Sequence, residues 1–206
     1  AGDALTAGGG LCNIAMGLNA LGAATTGDDN VALGRLALGA GVVTGADNIA
    51  IGRVSSDALT TGCGNIAMGT ASFGAATTGC KNIAIGELAL GAAVTTGNDN
   101  IAIGQTAMDA LTSGICNIAI GANALGASTT GCYNIALGYL ALGGADTTGK
   151  QNIAIGTNAL DALTSGICNV AISNAALSGS TTGCLNIAIG NIAMGGADTT
   201  GSNNVA

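Results

Sequence analysis

The sequence predicts an all-β parallel β-solenoid, and three repeated features indicate this fold. An asparagine recurs at sequence intervals of 17 or 18 along the chain, an apolar strand pattern of the type N-I-A-I-G begins at it, and a Thr-Thr-Gly turn or a close variant precedes it. Because so short a repeat cannot bury an apolar face alone, successive repeats must stack as coils. The twelve asparagines are Asn13, Asn30, Asn48, Asn65, Asn82, Asn100, Asn117, Asn134, Asn152, Asn169, Asn186 and Asn204.

A second, longer period is superimposed on the interval between asparagines. The interval between asparagines cycles through 17, 17 and 18, so three coils form a duplicated unit with a 52-residue period. We therefore expect one continuous solenoid over residues 1–206, in which about twelve coils of these two lengths make up four units. The predicted units are 13–64, 65–116, 117–168 and 169–206, and residues 1–12 form a partial coil.

The strand pattern predicts which side chains fill the lumen. Counting each asparagine as position 0, position +1 is Ile or Val and position +3 is Ile, Leu or Met. Side chains alternate across a strand, so these two positions share one face. A third bulky column stands at position +8, interrupted only by Ser56. We expect these three columns to fill the lumen.

Position +2 is alanine in every coil, and alternation then predicts that it faces outwards. An unbroken stripe of small apolar residues would run along the outside, and its burial against other subunits predicts an oligomer. The alternative is that alanine is simply tolerated at an exposed position. The predicted interface residues are Ala15, Ala32, Ala50, Ala67, Ala84, Ala102, Ala119, Ala136, Ala154, Ala171 and Ala188.

The turns and the asparagines are best explained by structural roles. Glycine in Thr-Thr-Gly is expected to supply a positive φ at a tight corner, and the threonine hydroxyls to satisfy turn amides. Stacked asparagines can hydrogen-bond amide to amide, which predicts a structural ladder from Asn13 to Asn186. A ligand-binding role for these polar residues is the less favoured alternative.

Cysteines stand at the corner just before the asparagine in several coils. Three pairs fall in consecutive coils, which lie about 4.8 Å apart in a parallel stack, within the Cα range of a disulfide. The candidate disulfides are Cys63 with Cys80, Cys116 with Cys132 and Cys168 with Cys184, while Cys12 lacks a partner. Such bonds would each add roughly 3 kcal/mol and imply an oxidising environment. The alternative is that all seven are small, reduced corner residues.

The composition argues against several functional classes. The chain has a net charge of -7 with only four Lys and Arg residues, so no basic surface for nucleic acid is expected. It has no His, and its acidic residues recur by repetition, so we expect no enzyme, metal site or cofactor. No apolar run approaches the roughly 20 residues of a membrane span, so no membrane insertion is expected.

The ends and the aromatic residues bear on assembly. The chain starts inside a D-A-L-T turn and stops at Ala206 without a polar cap, so we expect a longer protein or end-to-end stacking of copies into a filament. Recognition of glycans leans on exposed aromatic rings, and only Phe73, Tyr133 and Tyr139 are available. The segment is therefore expected to be a shaft rather than a receptor-binding tip.

The motif NIAIGxxAL followed by TTGxxN resembles the repeats of bacteriophage tail fibres and appendages, especially those of marine and cyanobacterial phages. It resembles more distantly the NSVAIG repeats of trimeric autotransporter adhesin heads. The resemblance covers essentially the whole chain and implies a parallel β-roll or β-helix, typically a homotrimer, with coils stacked along the fibre axis.

The leading hypothesis is thus an extracellular structural fibre on a virion surface, whose partners are copies of itself and, through other regions, a host cell. One alternative is a bacterial cell-surface adhesin or a self-assembling extracellular filament. Another is an ice-binding solenoid, since a regular ladder of Thr or Ala can match a crystal. Adjacent threonines point to different faces, however, so only one outward threonine column results.

Overall fold

The computed structural model of the chain describes residues 10–23, 26–196 and 199–206, and it is a parallel β-solenoid, as predicted. The described residues make about ten turns. Eleven strands of three residues pair in chain order into one parallel sheet. They are β1 Ile14–Met16, β2 Val31–Leu33, β3 Ile49–Ile51, β4 Ile66–Met68, β5 Ile83–Ile85, β6 Ile101–Ile103, β7 Ile118–Ile120, β8 Ile135–Leu137, β9 Ile153–Ile155, β10 Val170–Ile172 and β11 Ile187–Ile189. The predicted partial coil at 1–12 lies mostly outside the described residues.

Every strand stacks on the next without a shift. Position +1 pairs with position +1 and alanine with alanine, as between Ala102 and Ala119. The same register holds between β2 and β3, where the coil is one residue longer and Ala32 pairs with Ala50. The extra residue of the longer coil is therefore accommodated between position +8 and the turn, away from the sheet.

The lumen is lined by the opposite strand face from the one predicted. The alanines at position +2 are at most 1% exposed from Ala32 to Ala188, while no residue at positions +1 or +3 is buried in the described coils. The position +8 column is buried as predicted, up to Leu177, and shares one core cluster with the alanines. A narrow coil that holds a leucine at +8 leaves the facing strand room for little more than a methyl group.

The prediction of an outward alanine interface is therefore wrong. In a coil of this width, alanine is the strand residue that the interior accommodates, and the larger isoleucines must point out. Ala15, in the first described coil, is partly buried, and the others are fully buried within the single chain. The residues that were predicted to form an outer interface and instead face the interior are Ala15, Ala32, Ala50, Ala67, Ala84, Ala102, Ala119, Ala136, Ala154, Ala171 and Ala188.

A further inward column, just before the turn or at its first threonine, was missed by sequence reasoning. In successive coils it holds Leu59, Ala76, Thr95, Leu111, Ser128, Thr147, Leu163 and Ser180, all buried. The buried hydroxyls bond to the next coil: Thr95 Oγ1 donates to the carbonyl of Leu111 at 2.9 Å, and Ser128 Oγ donates to that of Thr147 at 2.7 Å. The cycle of a large, a small and an intermediate side chain repeats every three coils, which gives the 52-residue period a packing role.

The glycine of the Thr-Thr-Gly turn is required by close approach rather than by its φ. A Cβ on Gly45 would lie 1.9 Å from the carbonyl oxygen of Gly62, and one on Gly97 would lie equally close to that of Gly114. None of the described glycines in this column has a positive φ, so the predicted positive φ at the turn is wrong. That conformation occurs instead at position +4, where glycine φ values range from 130° to 141°.

Left-handed backbone also recurs at residues other than glycine, at positions -1, +6 and +8. In one coil these are Lys81, Leu88 and Leu90, with φ values of 59°, 57° and 49°. Each such residue costs on the order of 1 kcal/mol. The conformation is retained because the amides of all three donate to carbonyls of adjacent coils at 2.9–3.1 Å. Intercoil hydrogen bonding therefore overrides local preference.

We predict opposite effects for two substitutions at position +4. Ser173 is the one residue there other than glycine among the described coils, with φ 107°, so Ser173→Gly should stabilise the fold by about 1 kcal/mol. A Cβ at Gly104 would lie 2.5 Å from the carbonyl oxygen of Gly121, so Gly104→Ala should destabilise by at least about 3 kcal/mol. Denaturant unfolding measures both changes.

Gly196 provides the control for this pair, because an added Cβ would meet nothing within 4 Å. Gly196→Ala should change the free energy of unfolding by no more than about 0.5 kcal/mol. Equal stabilities for the Gly104→Ala and Gly196→Ala proteins would contradict the packing described for position +4.

Candidate functional site

The asparagines form a continuous hydrogen-bonded ladder inside the solenoid. Asn48 shows the pattern: its Oδ1 accepts hydrogen bonds from the backbone N and from Nδ2 of Asn65, both at 3.0 Å. Its Nδ2 donates to Asn30 Oδ1 at 3.0 Å and to the carbonyl of Gly62 at 2.9 Å. Both ends of the carboxamide are thus satisfied by neighbouring coils.

The ladder runs the length of the described solenoid. From Asn30 to Asn204, the backbone N of each asparagine donates to Oδ1 of the preceding one at 2.8–3.0 Å. The residues from Asn30 to Asn186 are at most 1% exposed. Because these amides are buried and bonded within the fold, their geometry suits a structural role and leaves no group directed at a ligand.

The outer face of the sheet carries two parallel apolar columns, which we name the apolar stripe: the first and last residues of strands β1–β11. Every member is Ile, Val, Leu or Met, and none is buried. Ile120, near the middle, is 42% exposed, and Ile189 in β11 is 60% exposed. A long, uncharged and regular apolar surface of this kind is characteristic of an interaction site.

A second outward column consists of hydroxyl residues, which we name the threonine column. Its members are exposed and lie one to a coil: Thr26, Thr44, Thr61, Thr78, Thr96, Ser113, Thr130, Thr148, Ser165, Thr182 and Thr200. Some of them bond back to the chain, as Thr96 Oγ1 does to the carbonyl of Thr112 at 3.3 Å. The column places hydroxyls in single file at about 4.8 Å intervals.

The acidic residues of the D-A-L segments do not converge. Asp57, Asp109 and Asp161 occupy one corner at intervals of three coils, or about 14 Å. Burial raises the pKa of each carboxyl above its ordinary value; in Asp57 and Asp161, backbone hydrogen bonds partly oppose this effect. Groups so far apart cannot act as an acid and base on one substrate.

The described part of the chain offers neither an enclosed site nor a membrane anchor of helical type. No ligand-sized cavity and no cluster of three or more His, Cys, Asp or Glu residues occurs in residues 10–23, 26–196 and 199–206. The same residues include no helix of the length and apolarity needed to cross a bilayer. Phe73 is buried in the core, while Tyr133 and Tyr139 are about half exposed.

All seven cysteines are present as thiols in the structure. Of the three candidate disulfide pairs, Cys63 and Cys80 bring their sulfurs into contact, with 2.9 Å between the Sγ atoms. In the other pairs, Cys132 Sγ and Cys184 Sγ instead face the carbonyls of Thr130 and Thr182. The three pairs are therefore not equivalent.

Comparison of the chain with protein-family models, curated proteins and solved structures gives no match. The apolar stripe and the threonine column are the most regular surfaces of the described residues, and they are the features that bear on function.

We predict that the ladder is indispensable to folding. Replacing Asn117 with Ala leaves the carbonyl of Gly131 without its side-chain donor and the backbone N of Asn134 without its acceptor. Two buried unsatisfied groups should cost about 3–5 kcal/mol of unfolding free energy. Asn191→Ala, at an exposed asparagine, should cost less than about 0.5 kcal/mol. Similar denaturation midpoints for the two variants would refute this role.

The three partly buried carboxyls, those of Asp57, Asp109 and Asp161, predict a pH dependence of stability. Because their pKa values are raised in the folded state, the folded protein binds these protons more tightly than the unfolded chain. Their contribution is fully present below the unfolded pKa of about 4 and is lost as the pH rises through the folded pKa. The triple variant Asp57→Asn, Asp109→Asn, Asp161→Asn should therefore gain stability relative to the wild type as the pH rises above about 4. Thermal unfolding at a series of pH values measures this difference. Melting temperatures of the variant and the wild type that change in parallel with pH would contradict the prediction.

Proposed function

We propose that this chain is the shaft of an extracellular fibre, such as a virion appendage, that assembles with copies of itself through the apolar stripe. The observation that carries the proposal is the stripe: two unbroken apolar columns on the outside of a rod whose interior is already filled. The resemblance of the NIAIGxxAL and TTGxxN motifs to phage tail-fibre repeats supports the same assignment.

The dimensions of the stripe favour a homotypic contact. Eleven strands at about 4.8 Å extend roughly 50 Å, and each partly exposed aliphatic side chain contributes on the order of 1 kcal/mol when fully covered. Copies of the same rod present matching stripes along their whole length. Closed symmetry about the rod axis, as in a trimer, would cover every stripe and leave none in water.

The rest of the described surface suits a shaft. It is repetitive, and its exposed aromatic side chains are Tyr133 and Tyr139, which lie in different columns. Contact with a host is accordingly assigned to other regions of the fibre. A bacterial cell-surface adhesin or an extracellular filament would use the stripe in the same way, so one assembly experiment serves all three.

We predict that charge on the stripe abolishes association while the coil stays folded. Ile118→Lys with Ile120→Lys places two ammonium groups in the centre of the stripe, where neither side chain is buried within the single chain. Burying them in a subunit contact would cost several kcal/mol, so the dissociation constant should rise at least about 100-fold. Sedimentation velocity and native mass spectrometry measure this change, and circular dichroism verifies the fold.

The matched control is Thr130→Lys with Thr148→Lys, which adds the same charge to the threonine column. This variant should retain the oligomeric state of the wild type. A wild type that stays monomeric over the accessible concentration range, or equal loss of association in both lysine variants, would overturn the stripe as the contact surface.

Ice binding is a second candidate, and the threonine column is the observation that favours it. A single file of hydroxyls at regular intervals is the kind of surface that can match a crystal lattice, although it is only one residue wide here. Thermal hysteresis that is present in the wild type, lost in the threonine-column variant and kept in the stripe variant would favour this function over the fibre shaft.

A further inference from the structure

Cys63 and Cys80 occupy the same position in adjacent coils. Each stands two residues before its asparagine, and the amide of Lys81 donates to the carbonyl of Cys63 at 2.9 Å, as expected for an aligned parallel pair. Coils about 4.8 Å apart place the Cα atoms within the range of a disulfide. The Sγ atoms are 2.9 Å apart, so closing a bond requires only a small movement.

Cys116 and Cys132 are out of register by one residue. Cys116 stands one residue before its asparagine and Cys132 stands two before. The amide of Tyr133 donates to the carbonyl of Ile115 at 3.0 Å, so Cys132 is stacked on Ile115 rather than on Cys116. Cys116 also has a left-handed backbone, with φ 56°. The side chain of Cys116 therefore leaves its coil in a different direction from that of Cys132.

The third pair repeats this mismatch. Cys184 is aligned with Ile167, as the hydrogen bond from the amide of Leu185 to the carbonyl of Ile167 shows, and Cys168 has φ 58°. Cys168 Sγ lies 3.5 Å from Gln151 Oε1, on the side away from Cys184. Neither mismatched pair has a sulfur–sulfur contact among the described interactions.

We propose that Cys63 and Cys80 form a dithiol site that closes selectively to an intercoil disulfide by exchange with a disulfide oxidant, while the other five thiols do not pair within the chain. With oxidised glutathione, Cys80 gives its thiol proton to water, and the resulting thiolate attacks one glutathione sulfur. The glutathione disulfide breaks, and the glutathione thiolate that leaves takes up a proton. Cys63 then loses its proton to water and attacks Cys80 Sγ, releasing the second glutathione. Two protein thiols are oxidised, and one glutathione disulfide is reduced to two thiols.

The hydrogen bonds give the order of attack. Cys63 donates both its S–H and its backbone N–H to Cys80 Sγ, at 2.9 and 3.1 Å. The bond to Cys80, together with burial, raises the pKa of the Cys63 thiol above its ordinary value. Cys63 thus keeps its proton, and Cys80 presents the attacking sulfur. The product would join adjacent coils and close a short loop, which should raise the melting temperature by roughly 5–10 °C.

The test is peptide mapping of the folded, full-length chain after incubation with oxidised glutathione, an acid quench and alkylation of the remaining thiols. A cross-link between Cys63 and Cys80, without cross-links between Cys116 and Cys132 or between Cys168 and Cys184, is the expected result. Equal occupancy of all three pairs, or absence of the Cys63–Cys80 link, would overturn the proposal. Glutathione adducts on single cysteines are identified separately in the same map.

A register variant provides the matched control. Ile115→Cys with Cys116→Asn moves one cysteine by a single residue into alignment with Cys132, and Asn suits the left-handed backbone at 116. This variant should gain a cross-link between position 115 and Cys132 that the wild type lacks. Failure to gain it, in a protein whose circular dichroism matches the wild type, would show that register does not select the pair.

Discussion

The structure depends on one constraint, which is that each buried asparagine carboxamide must hydrogen-bond to the equivalent carboxamide one coil away. An asparagine side chain has two donor hydrogens and an acceptor oxygen, and burial without partners would cost several kcal/mol for each residue. In this lumen Asn82, Asn117 and the carbonyl of Gly114, all in neighbouring coils, are partners of Asn100, and the carbonyl of Asn98 is a local one. A coil that shifted by one residue would lose these bonds. The ladder therefore sets the register for every other column.

That register explains how coils of two lengths, differing by one residue, stack without disturbing the sheet. The additional residue can be inserted only where it does not move an asparagine, and it lies between position +8 and the turn. The same alignment places Ile on Ile along the strands and stacks Cys63 with Cys80. It also separates Cys116 from Cys132, whose spacing is one residue shorter than the coil that contains them.

Much of the fold follows from the period alone, because the repeat length, the short strands and the buried column at +8 are visible as recurring residue types. The period does not show which strand face points into the lumen, since alternation allows two orientations and both faces here are apolar. The sizes of the residues on each face distinguish the two orientations. Position +2 is alanine in every coil, whereas position +3 varies among Ile, Leu and Met, and a close-packed interior tolerates less variation in volume than a surface.

Other features depend on contacts between coils that no single coil reveals. The left-handed φ of Leu90 is unfavourable for a leucine, and only the hydrogen bond from its amide to the carbonyl of Ala107 accounts for it. The turn glycines are likewise determined by the carbonyl of the next coil rather than by their own conformation. The mismatch of two cysteine pairs is visible in their sequence spacing, which differs from the spacing of the asparagines in the same coils.

The small volume of the lumen explains why the outer surface is apolar. About half of the chain is hydrophobic, yet a coil of this length encloses room for an alanine, a leucine at +8, a small residue at +7, one side chain before the turn and the asparagine. The isoleucines of the strand exceed that volume and must point outwards. An apolar exterior is thus a consequence of a tightly packed interior. Because the stripe and the lumen use opposite faces of the same three-residue strands, side chains on the stripe can change without opening the core, and association can vary independently of folding.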